Sequence, residues 1–275
     1  GNPKLDVLDL KAISKAAQTY KVPFIVDNTV ATPFLLNPIE HGANIVIHSL
    51  TKYIGGNGTS LGGVIIDAGN FDWSNGKFPE FTEPSAGYHG LKYYEVLGAA
   101  SFIAKVRIEG LRDLGASLSP FNAFQIIQGL ETLAIRIKKH SENALELAKW
   151  LQKRPEVAWV NYPGLISSKY YDLAQEYLPE GQSGIVTFGL KGGYEAAKKV
   201  ADETQFFSLL ANIGDTKSLI IHPASTTHQQ LSEEQQITTG VTKDLIRLSV
   251  GLEDIEDLKA DLQSVFEKLP VQNLV

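Results

Sequence analysis

The strongest constraint in this sequence is a set of short, uninterrupted apolar runs, each closed by a polar residue and separated by segments of helical period. Phe24-Ile25-Val26 ends on Asp27, and Asn44-Ile45-Val46-Ile47 leads into His48-Ser49-Leu50-Thr51-Lys52. Ahead of them, Leu10, Ile13, Ala16, Ala17 and Tyr20 recur at helical spacing behind Asp9, a residue able to cap a helix. After Gly55-Gly56-Asn57-Gly58 turns the chain, Gly63-Val64-Ile65-Ile66 reads as a third strand. Strands that are apolar on both faces must be covered on both, so the pattern predicts an α/β fold around a buried, largely parallel sheet.

Residues 67–98 lack a period and carry Trp73, Phe78, Phe81 and Tyr88, as an ordered surface insertion would. From Ala99 to Trp150 the pattern is helical, with Asn122–Trp150 expected as one long helix. Beyond it, Val157–Val160, Gly184–Phe188 and Leu219–His222 read as strands, and Tyr194–Thr204 and Asp254–Leu269 as helices. These changes place a boundary near residue 120, giving a first domain over 1–120 and a smaller α+β domain over 121–275.

Composition removes several classes of function. The chain has 275 residues, with 25 Lys plus Arg against 31 Asp plus Glu and a net charge of −6. Without blocks of like charge it offers no footprint for nucleic acid or an anionic membrane. It has no Cys, which excludes disulfides, thiolate metal sites and a cysteine nucleophile from these residues. His222 and His228 stand six apart and no HExxH pattern occurs, so no metal site is expected. The glycines of 55–63 precede a strand instead of opening a helix, unlike a dinucleotide-binding loop. No apolar run approaches the ~20 residues of a membrane span, and a cytoplasmic location is expected. The chain opens Gly1-Asn2-Pro3 and contains no Met, so it is expected to be an excerpt of something longer.

In open α/β sheets, ligands gather beyond the carboxyl ends of the strands, which directs attention to Asp27 and Lys52. Alone, Asp27 is a turn former and Lys52 a solvated charge. Together they suggest a carbonyl cofactor. A lysine amine can form a Schiff base with pyridoxal phosphate, an acid can keep its ring nitrogen protonated, and hydroxyls such as those of Ser49 and Thr51 suit its phosphate. Arg247 lies in the apolar run Leu245–Val250 and by itself reads as a structural ion-pair partner.

With Asp27-Asn28-Thr29, Ser49-Leu50-Thr51-Lys52-Tyr53, Gly62-Gly63, Ser119–Ala123, Gly129–Leu133 with Arg136, His222–His228 and Arg247–Glu253 in that order, the sequence resembles the Cys/Met-metabolism class of pyridoxal-phosphate enzymes. Ile54-Gly55-Gly56, Gly58-Thr59-Ser60 and the long insertion after them are most similar to its O-acetylhomoserine sulfhydrylases, although Asn57 stands where those commonly carry His. The resemblance implies the C-terminal two thirds of a fold-type-I pyridoxal-phosphate transferase: part of a large, mostly parallel domain, then the small domain. Lys52 is implied as the Schiff-base lysine and catalytic base, Asp27 as partner of the pyridine nitrogen, and Ser49 and Thr51 as phosphate ligands. Arg247 is implied to hold the substrate α-carboxylate, and Asn212 to line the substrate site.

The implied reaction is γ-replacement in methionine biosynthesis, O-acetyl-L-homoserine plus sulfide giving L-homocysteine plus acetate, in a homotetramer of active dimers. Cystathionine γ-synthase and methionine or cystathionine γ-lyase are the alternatives within the class. A non-catalytic binding or structural fragment is the alternative outside it.

Overall fold

The computed structural model describes residues 2–270. Its first part comprises α1 (Leu10–Thr19), β1 (Ile25–Asp27), α2 (Thr32–Leu35), β2 (Ile45–Ser49) and β3 (Gly63–Asp67), followed by the short helices α3 (Pro79–Thr82), α4 (Tyr93–Leu97) and α5 (Ser101–Lys105). Next come α6 (Pro120–Glu131) and α7 (Leu133–Leu151). The remainder comprises β4 (Val157–Asn161), α8 (Tyr171–Tyr177), β5 (Ile185–Leu190), α9 (Gly193–Glu203), β6 (Ser208–Leu209), β7 (Leu219–Ile221), α10 (Glu233–Thr239), β8 (Leu245–Ser249) and α11 (Ile255–Phe266).

α1 forms where the apolar spacing places it, and Asp9 Oδ1 accepts the Ala12 N–H at 3.0 Å, satisfying a donor left open at the helix start. β1 and β2 pair in parallel, with Val26 opposite Val46 and Asp27 opposite Ile47. Both strands therefore finish at one edge of the sheet. β3 pairs antiparallel to β2, with Ser49 opposite Gly63, because residues 50–62 make a turn and contain no crossover helix. Coverage on both faces is achieved at β2, where Ile45 and Val46 are buried, whereas Ile25, Ile65 and Ile66 on the flanking strands are exposed. The aromatic insertion covers one side of β2: Trp73 stacks on Phe102 at 5.2 Å between ring centroids and packs, with Phe81 and Tyr93, against Ile45.

The expected single helix over 122–150 is two helices, divided at Thr132, whose backbone leaves the helical region at φ −105° and ψ 3°. The break turns α7 away from α6 and places its apolar stripe on the second sheet. That sheet runs in the order β4-β5-β8-β7-β6. Its centre, β8, is a strand that periodicity alone did not disclose, because Arg247 interrupts the apolar run. Ile246, Leu248 and Val250 join Phe188, Ala144, Leu147, Val200, Leu258 and Leu262 in the main core. Alternation along the strand sends Arg247 and Ser249 to the opposite face.

His140, on α7, is completely buried. Its Nδ1 lies 2.6 Å from the Val250 carbonyl and so must donate, while Nε2 has no partner among the described residues. Burial pushes its pKa down to about 4 from 6.5, so the folded protein holds it neutral while the unfolded chain takes up a proton below the ordinary value. Stability from this site is present above pH 6.5 and is lost as the pH falls towards 4, by roughly 3 kcal/mol in total. Urea unfolding at a series of pH values should show this slope. His140→Gln, which keeps a donor for Val250 but cannot titrate, should show a correspondingly shallower one, and equal slopes would refute the assignment.

Candidate active site

The carboxyl edge shared by β1 and β2 is bound together by its own polar groups. The Asn28 N–H donates to the Ile47 carbonyl at 2.9 Å, and the Ser49 N–H donates to Thr29 Oγ1 at 2.8 Å. Asn28 is buried and its amide donates to the carbonyls of Thr32 and Leu36 at 3.0 and 2.9 Å. Asp27 Oδ1 accepts the Thr29 N–H at 3.0 Å, yet Asp27 remains exposed at the strand end. Its charge opposes the burial that lowers the pKa of His48. Within the described residues the Ser49 hydroxyl is not engaged, whereas the Thr51 hydroxyl accepts from the Gly62 N–H at 3.1 Å.

Lys52 sits in the middle of a π-type turn, Leu50–Ile54, and its own backbone departs from helical geometry at φ −90° and ψ −131°. The turn is closed by Gly55 N–H on the Leu50 carbonyl at 2.9 Å and Gly56 N–H on the Lys52 carbonyl at 2.8 Å. Tyr53 beside it is wholly buried, and its hydroxyl accepts the Gly184 N–H at 3.2 Å, which joins the turn to the start of β5. On the other side, Arg136 donates to the carbonyls of Tyr53 and Ile54.

The Lys52 amine reaches into the space in front of the second sheet. Its Nζ donates to Asn212 Oδ1 at 2.5 Å, and Arg247 Nη2 donates to the Asn212 carbonyl at 3.0 Å. The Asn212 segment is held by the Gly214 N–H on Ser249 Oγ at 3.0 Å and by the Thr216 N–H on the Gly56 carbonyl at 2.8 Å. Burial, and secondarily the Arg247 guanidinium, move the Lys52 pKa below its ordinary value. Arg247 has no carboxylate partner among the described residues, contrary to the ion-pair reading, and its Nε is buried without any partner. Such a donor is costly unless an acceptor arrives.

Lys52, Asn212 and Arg247 are therefore adjacent, while Asp27 and Ser49 share the sheet edge from which the lysine turn departs. Sequence reasoning overlooked Tyr53, Arg136 and Ser249 as structural parts of the site. Tyr53 and Arg136 belong to the motif blocks that carry the family resemblance, but their partners are distant in the chain: Gly184 for the first, residues 53 and 54 for the second. Nothing local marks Ser249, whose role depends on which face of β8 it occupies.

The sequence profile of the Cys/Met metabolism PLP-dependent enzymes matches residues 1–267, and the chain belongs to this family. It is 56% identical over 98% of its length to an O-acetyl-L-homoserine sulfhydrylase of Leptospira meyeri, and 52% identical over 96% to an O-acetyl-L-homoserine sulfhydrylase of Thermus thermophilus. It spans 63% of the length of each of these relatives. A Campylobacter jejuni crystal structure described as an O-acetylhomoserine (thiol)-lyase carrying a pyridoxyl-lysine monophosphate superposes with a TM-score of 0.93 at 48% identity, covering 97% of this chain and 64% of that one. The fold is accordingly fold-type I.

Removing the guanidinium in Arg247→Gln should raise the Lys52 pKa, since both the like charge and part of the desolvation are lost. The measurement is the pH dependence of Lys52 acylation by acetic anhydride, followed by peptide mass. An unchanged or lower midpoint would contradict the coupling.

Proposed function

We propose that the protein is a pyridoxal-phosphate-dependent enzyme of γ-replacement, converting O-acetyl-L-homoserine and sulfide to L-homocysteine and acetate in methionine biosynthesis. The observation that carries the reading is the Lys52 amine, held on Asn212 beside a half-buried guanidinium whose buried Nε is an open donor among the described residues. An amine without a carboxylate partner among the described residues, with its pKa lowered, suits covalent and base chemistry more than salt bridging. Relatives named as O-acetyl-L-homoserine sulfhydrylases support the choice of substrates.

The donor set fits the cofactor: Asp27 is exposed at the strand end and the Ser49 hydroxyl is unengaged. Lys52 would hold the group through its amine, Asp27 its ring nitrogen, and Ser49 and Thr51 its phosphate. When bound, pyridoxal phosphate supplies an aldehyde and a ring able to accept negative charge from the substrate. Arg247 binds the α-carboxylate with its planar fork, using the Nε that lacks a partner. Lys52 Nζ, freed when the substrate's amine takes its place and unprotonated at lower pH than an ordinary lysine, would take the proton from Cα and later from Cβ. Asn212 orients that amine, and hydrosulfide adds at Cγ after acetate departs.

We further propose a division of the chain near residue 120, supported by the separate cores of the two sheets, and a cytoplasmic homotetramer. Phe121, Phe124 and Ile127 are exposed on the side of α6 away from buried Ile126 and Gly129, an apolar stripe suited to a second copy. Sedimentation should give four times the 30.0 kDa chain mass, reduced by Phe124→Glu. A monomer would refute the assembly.

Purified enzyme should form homocysteine from O-acetylhomoserine and sulfide. Lys52→Ala should lower turnover by about a thousandfold or more and abolish the adduct fixed by borohydride. Arg247→Lys should raise KM for the amino acid by roughly ten- to a hundredfold. Cleavage of methionine with no homocysteine synthesis would overturn the reaction, and a borohydride-fixed adduct in Lys52→Ala would overturn the lysine assignment.

A further inference from the structure

Arg136 is a buried cation with no carboxylate partner among the described residues. All its hydrogen bonds go to neutral oxygens: Nη1 to the Tyr53 carbonyl at 2.7 Å, Nη2 to the carbonyls of Ile54 at 3.0 Å and Gly129 at 2.6 Å, and Nε to Thr132 Oγ1 at 3.0 Å. Two of these acceptors are the carbonyls that immediately follow Lys52. The other two lie at the break between α6 and α7. The guanidinium thus bolts the lysine turn to a helix corner.

The surroundings are shaped to this contact. Gly56 has φ +75°, and a Cβ there would stand 2.3 Å from Arg136 Nη1. A Cβ on Gly129 would meet the carbonyl oxygens of Gly55 at 2.4 Å and Ile54 at 2.6 Å, so backbone approaches backbone where the fork reaches across. Burying an uncompensated cation costs several kcal/mol unless its donors are satisfied. A lysine could offer its donors from only one point, whereas the planar fork spans three carbonyls in different directions. Lys52 itself lies in the irregular part of the turn, at φ −90° and ψ −131°, where within the turn its carbonyl is held by the Gly56 N–H at 2.8 Å. Tyr53 and Arg136 are what fix it.

We propose that Arg136 is a positioning residue for Lys52: by clamping the Tyr53 and Ile54 carbonyls it holds the lysine turn so that the amine meets Asn212 in front of Arg247. The role rests on the proposed function for its biological meaning, but the placement of Lys52 can be read without it.

Three variants test this in the full chain, with thermal unfolding and circular dichroism as controls of the fold. In Arg136→Lys, the pH midpoint of Lys52 acylation by acetic anhydride, read without cofactor, should move up towards that of an exposed lysine. Capture of pyridoxal phosphate at Lys52, trapped with borohydride and located by peptide mass, should slow roughly ten- to a hundredfold. Arg136 borders an open recess of about 310 Å³ lined by Asn57, Gln125, Gln128 and Thr132. In Arg136→Ala, added methylguanidinium should therefore restore capture, which a purely global loss of stability would not permit. Thr132→Val removes the Nε acceptor and the hydroxyl's 3.2 Å hydrogen bond to the Gly129 carbonyl but leaves the three carbonyls that Arg136 holds, and it should shift both readings in the same direction by less, so the test stands even if an Arg136 variant misfolds.

Unchanged acylation midpoint and capture rate in folded Arg136→Lys, or in Thr132→Val should the former not fold, would overturn the inference. Failure of the unsubstituted protein to capture pyridoxal phosphate would overturn the proposed function instead, leaving the acylation readings to decide the role of Arg136.

Discussion

The carbonyl groups of Tyr53 and Ile54 converge on one buried guanidinium, and the geometry around Lys52 depends on that convergence. A π-type turn with a non-helical residue at its centre has few internal hydrogen bonds with which to define itself. It acquires one conformation because Arg136 holds the carbonyls on one side and the Tyr53 hydroxyl meets the Gly184 N–H on the other. The first contact ties the turn to the α6–α7 corner, and the second ties it to the second sheet. A single residue pair, 52 and 53, thereby carries both the reactive amine and the anchor.

The two sheets contribute different chemistry for topological reasons. Parallel pairing of β1 and β2 brings the ends of both strands to one edge, so Asp27 and the Ser49–Lys52 segment emerge side by side. In the second sheet the contribution comes from the face of a central strand. Arg247 sits on β8 between Thr187 of β5 and Ile221 of β7, where neighbouring strands fix its backbone and partial burial strips water from its Nε. The Asn212 segment bridges the two, bonded to Ser249 on one side and Gly56 on the other.

Much of this was legible locally. The α1 cap, the three strands of the first sheet and the helices α9 and α11 follow from capping and periodicity. Asp27 and Lys52 stand out because each follows an apolar run. Three features were not legible. The antiparallel entry of β3 depends on what lies between strands, the break at Thr132 on how α6 and α7 pack, and β8 hides because one half-buried Arg makes an apolar strand read as a charged segment. The partners of Arg136 lie 82 and 83 residues away, beyond the reach of any periodicity.

By itself the sequence determined the chemistry on offer: an amine, a carboxylate, hydroxyls and a guanidinium in motif blocks of recognisable order, with no thiol. It also determined most of the regular elements, because capping and side-chain period are properties of neighbours along the chain. Only the tertiary structure decided that the Lys52 amine meets Asn212, that the Arg247 Nε lacks a partner among the described residues, and that Arg136 holds carbonyls. Burial and hydrogen bonding between distant segments set those outcomes, since a donor's value depends on whether water or another part of the chain can reach it.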